Sequence, residues 1–190
     1  MATPNLDTFL PEIFELEAQE MFDFLSTAPS LKAATKNMHN HQVEQGVEYI
    51  KTVLFDVYRS GHFEIPVSVL DDELCGYAII YKVNERAPLL LHRVFVKEKF
   101  RRNGLGRMLL ETFLASNQGI NLVSPLNQVG FFERTGLKLL GSYQVHDHPS
   151  FSLLTDHYQD TFLMGDKQYP GGAPVFLLND EDLQKIFALR

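Results

Sequence analysis

VFVKEKFRRNGLG, Val94 to Gly106, is the stretch whose reading decides the fold. It closes an apolar run, Leu89-Leu90-Leu91-His92-Arg93-Val94-Phe95-Val96, that reads as a buried strand. A short charged turn follows, and then Arg101, Gly104 and Gly106 stand in the spacing Arg-x-x-Gly-x-Gly. Leu105, Met108, Leu109 and Phe113 recur at helical spacing directly afterwards, so a helix is expected over 104–116. Strand, glycine loop and helix start together make an anion seat. The N–H groups of a first helical turn have no partner inside the helix, and the helix dipole favours negative charge there. Glycine lets the backbone close around a phosphate, and Arg101 and Arg102 add positive charge. A Walker A loop needs Gly-Lys-Ser/Thr, but the chain has Gly-Leu-Gly-Arg-Met. A dinucleotide fingerprint needs a third glycine at position 109, which is Leu.

Working outward, polar turns separate apolar runs. Phe63 to Leu70 and Leu74 to Val83 read as strands that lead into the Leu89 strand as an antiparallel meander. Beyond the helix, Ile120 to Ser124 is a short strand stopped by Pro125, expected parallel to the Leu89 strand because a helix joins them. A short helix over 127–135 ends at Gly136. Leu137 to Val145 and Thr161 to Met164 are further strands. Upstream, residues 5–26 and 41–59 have helical apolar spacing, interrupted by Thr27-Ala28-Pro29-Ser30. No convincing strand precedes them. Gly171 to Pro174 reads as a linker, and Asn179 as the cap of a last helix with Asp180, Glu181 and Asp182 in its first turn and Arg190 at its end.

The chain has 190 residues, 45% of them apolar, which suits one folded domain. A net charge of −7 argues against general binding to nucleic acid or to anionic membranes and is compatible with a cationic substrate or with solubility alone. The lone cysteine, Cys75, lies in an apolar strand pattern and reads as a small buried hydrophobe. With no charged-then-apolar leader pattern and no apolar run near the ~20 residues of a membrane span, a cytoplasmic protein is expected.

The Arg101–Gly106 loop, the strand before it and the Arg-Met-Leu-Leu-Glu helix after it resemble the acyl-CoA site of the GNAT superfamily of N-acetyltransferases. Phe131-Phe132-Glu133-Arg134-Thr135-Gly136-Leu137 resembles that family's second signature, Tyr-Glu-x-x-Gly-Phe. The resemblance covers residues 64–145. It implies an α/β (α+β) fold: one GNAT-type domain over 1–190, a mixed, mostly antiparallel sheet with a splayed parallel strand pair, and flanking helices. Its parts would be a helical 1–62, a sheet core with the acyl-CoA site over 63–165, and a C-terminal extension over 166–190. Members of the family usually begin with a strand, which this sequence does not show.

The resemblance also implies an enzyme that moves acetyl from acetyl-CoA, as co-substrate, to a primary amine. The amine would attack directly in a ternary complex, without metal. Pantetheine would lie between the splayed strands against main-chain N–H groups of Val94, Phe95 and Val96. The pyrophosphate would meet Arg101, Arg102, Asn103, Gly104, Leu105, Gly106 and Arg107. Asn127 would be either a pantetheine contact or a helix cap. Phe132 stands where the family has a Tyr that protonates the leaving thiolate, and phenylalanine cannot donate a proton. This departure keeps an alternative open, a non-catalytic acyl-CoA sensor or interaction module. Tyr143 and Tyr158 are candidate substitutes.

The resemblance also implies a general base, often Glu, on the acceptor-facing side of the Leu89–Val96 strand; no Asp or Glu occupies 89–96, so a base there would be His92, and histidine titrates near neutral pH. Strand alternation would put it on one face with Leu90, Val94 and Val96. A core-edge histidine bonded to a backbone carbonyl explains the residue equally well. His39 with His41 and His146 with His148 stand at alternate positions, but no Cys or carboxylate set completes a metal site, and none is expected. His146, Asp147 and His148 follow a strand where the resemblance implies that the acceptor site opens, and they are candidates for gripping a cationic group; a solvated polar loop is the other reading. The expected partner is a small-molecule or peptide amine, with neither nucleic acid nor membrane; a homodimer is compatible with the chain.

Overall fold

The computed structural model describes residues 5–85, 87–115, 119–143, 152–154, 158, 160–166 and 178–187. The chain groups into two compact units. One comprises Met1–Phe9, Tyr58–Tyr143 and Asp160–Pro174; the other comprises Leu10–Val57, Gln144–Gln159 and Val175–Arg190.

The first unit holds the sheet. Its strands are β1 (Phe63–Glu64), β2 (Val67–Leu70), β3 (Glu73–Tyr81), β4 (Leu89–Val96), β5 (Ile120–Pro125), β6 (Lys138–Ser142) and β7 (Thr161–Gly165). They run in the order β1-β3-β4-β5-β7-β6, with β2 also paired to β3. All pairs are antiparallel except β4 with β5. This is the mixed, mostly antiparallel sheet expected from the sequence. The single strand expected over 63–70 is broken at Ile65-Pro66, because proline has no N–H for the ladder. Among the described residues, no strand precedes the first helix.

Two helices flank the sheet in this unit, α4 (Leu105–Leu114) and α5 (Leu126–Arg134). Leu109, Leu110 and Phe113 of α4 and Val129 and Phe132 of α5 are buried in one apolar cluster with Ala78, Ile80, Leu89, Leu91, Ile120, Leu122, Leu137 and Met164. Burying each large apolar side chain contributes about 1.5–3 kcal/mol, so this cluster holds the helices on the sheet. Gly136, at φ 99, ends α5 and lets Leu137 N–H donate back to the Phe132 carbonyl at 3.2 Å. The strand expected from Leu137 begins one residue later for that reason, and its expected end lies outside the described residues.

The second unit contains α1 (Leu10–Ser26), α2 (Lys32–Thr35), most of α3 (Asn40–Arg59) and α6 (Asp180–Phe187). The helix expected over 5–26 is two pieces, a 3₁₀ turn at Leu6–Thr8, which belongs to the first unit, and α1. Pro11 explains the break: it has no N–H for the preceding turn and fits only the first turn of a helix. Leu10, Ile13, Phe14, Ala18, Met21, Phe22 and Leu25 give α1 its buried face. The hydroxyls of Ser26 and Thr27 donate to the carbonyls of Asp23 and Phe24 at 2.8 and 2.7 Å and close its end. The short α2 was not legible in the sequence. Asn179 caps α6 as expected, its Oδ1 accepting from Asp182 N–H at 3.0 Å. The 171–174 linker and Arg190 lie outside the described residues.

Candidate active site

The site begins where the parallel pair comes apart. β4 and β5 are in register only at Leu89 with Ile120 and Leu90 with Asn121. β4 then runs on to Val96 against β3, and β5 runs on to Pro125 against β7. The pair is splayed, and a gap opens between the two strands at their C-terminal ends.

β4 also carries a bulge. Ile79 pairs with Arg93 and Ile80 with Leu91, so His92 is an extra residue with no opposite number on β3. This corrects the alternation argument. Leu89, Leu91, Val94 and Val96 all pack with the apolar cluster, so Leu90 does not share a face with Val94. His92 stands at the point where the parity changes, and its place cannot be read by counting from the loop. It is half-buried.

The loop follows from β4 through a 3₁₀ turn, Glu98–Phe100. Arg102 and Gly104 adopt left-handed backbone, φ 67 and φ 78, and Gly104 is the cap position of α4. Gly104 bears no capping side chain, so nothing of its own covers the first-turn N–H groups of Leu105, Gly106 and Arg107. Arg101 Nε donates to the Val96 carbonyl at 2.9 Å and ties the loop to the end of β4. Arg101, Arg102, Asn103 and Arg107 are exposed. Asn103 Nδ2 donates to the Phe100 carbonyl at 3.4 Å, and Arg107 Nε lies 3.6 Å from Glu111. Just before the loop, Glu73 accepts from Lys99 at 2.6 Å and lies 3.8 Å from Lys97. The Lys99 hydrogen bond, opposed by some desolvation, holds the Glu73 carboxyl below its usual range. Positive groups and open helix N–H groups therefore converge beside the mouth of the gap, an arrangement that suits an anionic diphosphate.

The second signature is divided between two aromatic rings. Phe132 is 7% exposed and belongs to the apolar cluster, so the residue at the family's Tyr position packs in the core. Phe131 is 36% exposed, and its ring stands edge-on to Phe132 at 5.0 Å. A Cβ built on Gly106 would lie 3.3 Å from Phe131 Cζ and 3.7 Å from Val94 Cγ1. Phe131, which the sequence reading did not single out, is thus the ring that meets the loop. Asn127 is not the cap of α5: Pro125 holds that position, and Asn127 is exposed in the first turn.

The remaining candidates separate. Tyr143 follows β6, is buried, and donates its backbone N–H to the Thr161 carbonyl at 2.9 Å, beside the end of β5. Desolvation pushes its phenol up to about 12, so it stays protonated at neutral pH but is a weak acid. Tyr158 belongs to the second unit. Cys75 is 2% exposed, with Sγ 3.5 Å from the Glu73 carbonyl. The rings of His39 and His41 stack at 6.0 Å, and no group of three or more metal-ligating side chains occurs among the described residues. His146, Asp147 and His148 lie outside the described residues.

Residues 62–138 match the family model of the acetyltransferase (GNAT) domain. Among solved structures, the chain is similar to a ribosomal-protein-alanine N-acetyltransferase from Brucella melitensis, with 16% identity over 88% of this chain and 97% of that one and a TM-score of 0.53. It is also similar to a GNAT family acetyltransferase from Elizabethkingia anophelis with acetyl-CoA bound, with 17% identity over 60% and 82% of the two chains and a TM-score of 0.46. Comparison with curated proteins gives no match. The splayed strand pair and the glycine loop at a helix start belong to a mixed sheet of the GNAT fold. The likeness to the Brucella melitensis structure is one of fold, and the match to the GNAT domain model covers residues 62–138. No described helix is long and apolar enough to cross a membrane.

Proposed function

We propose that the protein is an N-acetyltransferase, with 1–190 as one functional domain, that moves acetyl from acetyl-CoA to a primary amine by direct attack in a ternary complex. The observation that carries this reading is the two-residue pairing of β4 with β5 beside the Arg101–Gly106 loop. The loop and the first turn of α4 would hold the pyrophosphate. Pantetheine would extend into the gap, with main-chain groups of Val94 to Val96 as its partners. The bulge at His92 interrupts the β3–β4 ladder two residues before Val94, the first of those main-chain partners. A main-chain N–H re-aimed by a bulge is suited to polarising the thioester carbonyl.

Chemically, the amine must be neutral when it attacks, one proton must leave it, and a thiolate must depart. His92 is the candidate base, directly or through one water. Phe132 offers no proton to the thiolate, and a thiolate can leave and take its proton from water. Cys75 is buried, which favours direct attack over an acyl-cysteine carrier. A cytoplasmic setting and a small-molecule or peptide amine fit this reading.

One observation favours a second reading. The core position of Phe132, without a hydroxyl, also suits a non-catalytic acyl-CoA-binding module. Free CoA released from acetyl-CoA in the presence of polyamines, aminoglycosides, lysine-bearing peptides and peptides with a free N-terminus separates the two. Acceptor-dependent release supports the enzyme. Binding of acetyl-CoA with no release above hydrolysis across the panel supports the module.

A further inference from the structure

The backbone that leads from β4 into the anion seat is held by one carboxylate at two lysines. Leu70 and Glu73 are the closing pair of the β2–β3 ladder, so the sheet fixes the backbone of Glu73. β4 runs antiparallel to β3 with Val96 opposite Gly76, so the residues that leave β4 pass the start of β3. Lys97 N–H donates to the Cys75 carbonyl at 2.9 Å. Lys99 Nζ donates to Glu73 Oε2 at 2.6 Å, and Lys97 Nζ lies 3.8 Å from Glu73 Oε1. Phe100 N–H then donates to the Lys97 carbonyl at 2.9 Å, and Arg101 N–H to the Glu98 carbonyl at 3.1 Å. Arg101 opens the Arg-x-x-Gly-x-Gly loop two residues after Lys99, at most about 7 Å along the backbone. That is within the ~10 Å over which charges act on each other in about 0.1 M salt. Glu73 therefore engages cations that border a seat for an anion.

We propose that Glu73 is a positioning residue that restrains the anion seat: it draws Lys99, together with Lys97, toward β3 and offsets their charge, so that acetyl-CoA binds less tightly than the cations around the loop would allow. This rests on the reading of the 101–106 loop as an acyl-CoA seat and adds a control on affinity from a residue outside that loop. Exposed ion pairs contribute little to folding, so the consequence of this one lies in where it holds the lysine charge. A lysine is a compact charge on a flexible stem. Released from Glu73, Lys99 can turn to an anion seated beside Arg101. Acetyl-CoA and the CoA left after transfer carry the same diphosphate, so a restrained seat also favours release of the product.

Calorimetric titration of acetyl-CoA at low and at high salt tests this on wild type, Glu73→Gln and Glu73→Asp. At about 0.05 M salt, Glu73→Gln should bind acetyl-CoA roughly three- to tenfold more tightly than wild type. At about 0.5 M salt the difference should nearly vanish, because the effect is one of charge. Glu73→Asp keeps the carboxylate and should stay close to wild type. In a Lys99→Gln background, Glu73→Gln should gain much less, because the cation through which Glu73 acts is gone. Circular dichroism and thermal melts establish that each variant is folded. Unchanged or weaker binding by Glu73→Gln, a gain that persists at high salt, or an equal gain without Lys99 overturns the proposal while leaving the acyl-CoA seat in place. Wild-type protein that binds no acetyl-CoA at either salt overturns the acyl-CoA reading itself, and the proposal with it.

Discussion

At the scale of the residue, His92 shows what a sequence pattern carries and where it stops. The residue types on β4, read with the family resemblance, were enough to single it out, because no carboxylate occupies 89–96. Its face was not legible, because counting by alternation assumes an unbroken ladder, and the ladder breaks at His92 itself. Phe131 and Phe132 make the same point. The signature identifies the pair, but only packing decides which ring is buried, and Phe132 is the buried one. If His92 is the base, His92→Ala should lower kcat about 10²–10⁴-fold with little change in acetyl-CoA affinity. Wild type and variant, compared on one acceptor, should also differ in the pH dependence of kcat. The acceptor amine titrates identically for both, so only a group on the enzyme can produce that difference. Equal profiles and similar kcat would assign His92 a structural role.

The elements were read well where periodicity is long and poorly where one residue intervenes. β4 spans Leu89–Val96 as the apolar run predicts, and α4 follows the glycine loop as its spacing predicts. Pro11 and Pro66 divide what apolar spacing alone reads as continuous. The splay was expected only through the family resemblance, since no feature of Ile120 to Pro125 announces that pairing with β4 stops after two residues. One contact beside that point is testable. Asn121, fully buried, faces Gly165 of β7 so closely that a Cβ there would lie 2.0 Å from Asn121 Oδ1 and 2.9 Å from the Ile120 carbonyl. Gly165→Ala should therefore cost about 1–3 kcal/mol in urea unfolding. Because the two residues share one space, Gly165→Ala with Asn121→Ala should cost less than the sum of the single changes. Additive costs would mean that the clash is relieved elsewhere.

At the scale of the whole molecule, each unit draws on three segments of chain, which no local pattern discloses. Stability against alkali is a property of the whole chain with an identifiable contributor. Burial raises the Tyr143 phenol from 10.0 to about 12, so the folded protein holds that proton more tightly than the unfolded chain. Its contribution is complete below pH 10 and is lost as pH climbs through about 12. Tyr143→Phe should therefore lose less stability than wild type between about pH 10 and 12, by thermal melts at fixed ionic strength. Equal losses would place the alkaline sensitivity elsewhere.

The central claim is that the loop at the start of α4 seats acetyl-CoA, and Gly104 tests it most directly. No atom lies within 4 Å of a Cβ built there, but its φ of 78 is a conformation that a β-branched residue resists. Gly104→Val should therefore leave the sheet and its core folded while deforming the seat. Isothermal titration of acetyl-CoA into the folded wild type and Gly104→Val proteins is the measurement. The account predicts one site per chain in the wild type and loss of that binding in the variant; unchanged affinity in a folded Gly104→Val protein would contradict it.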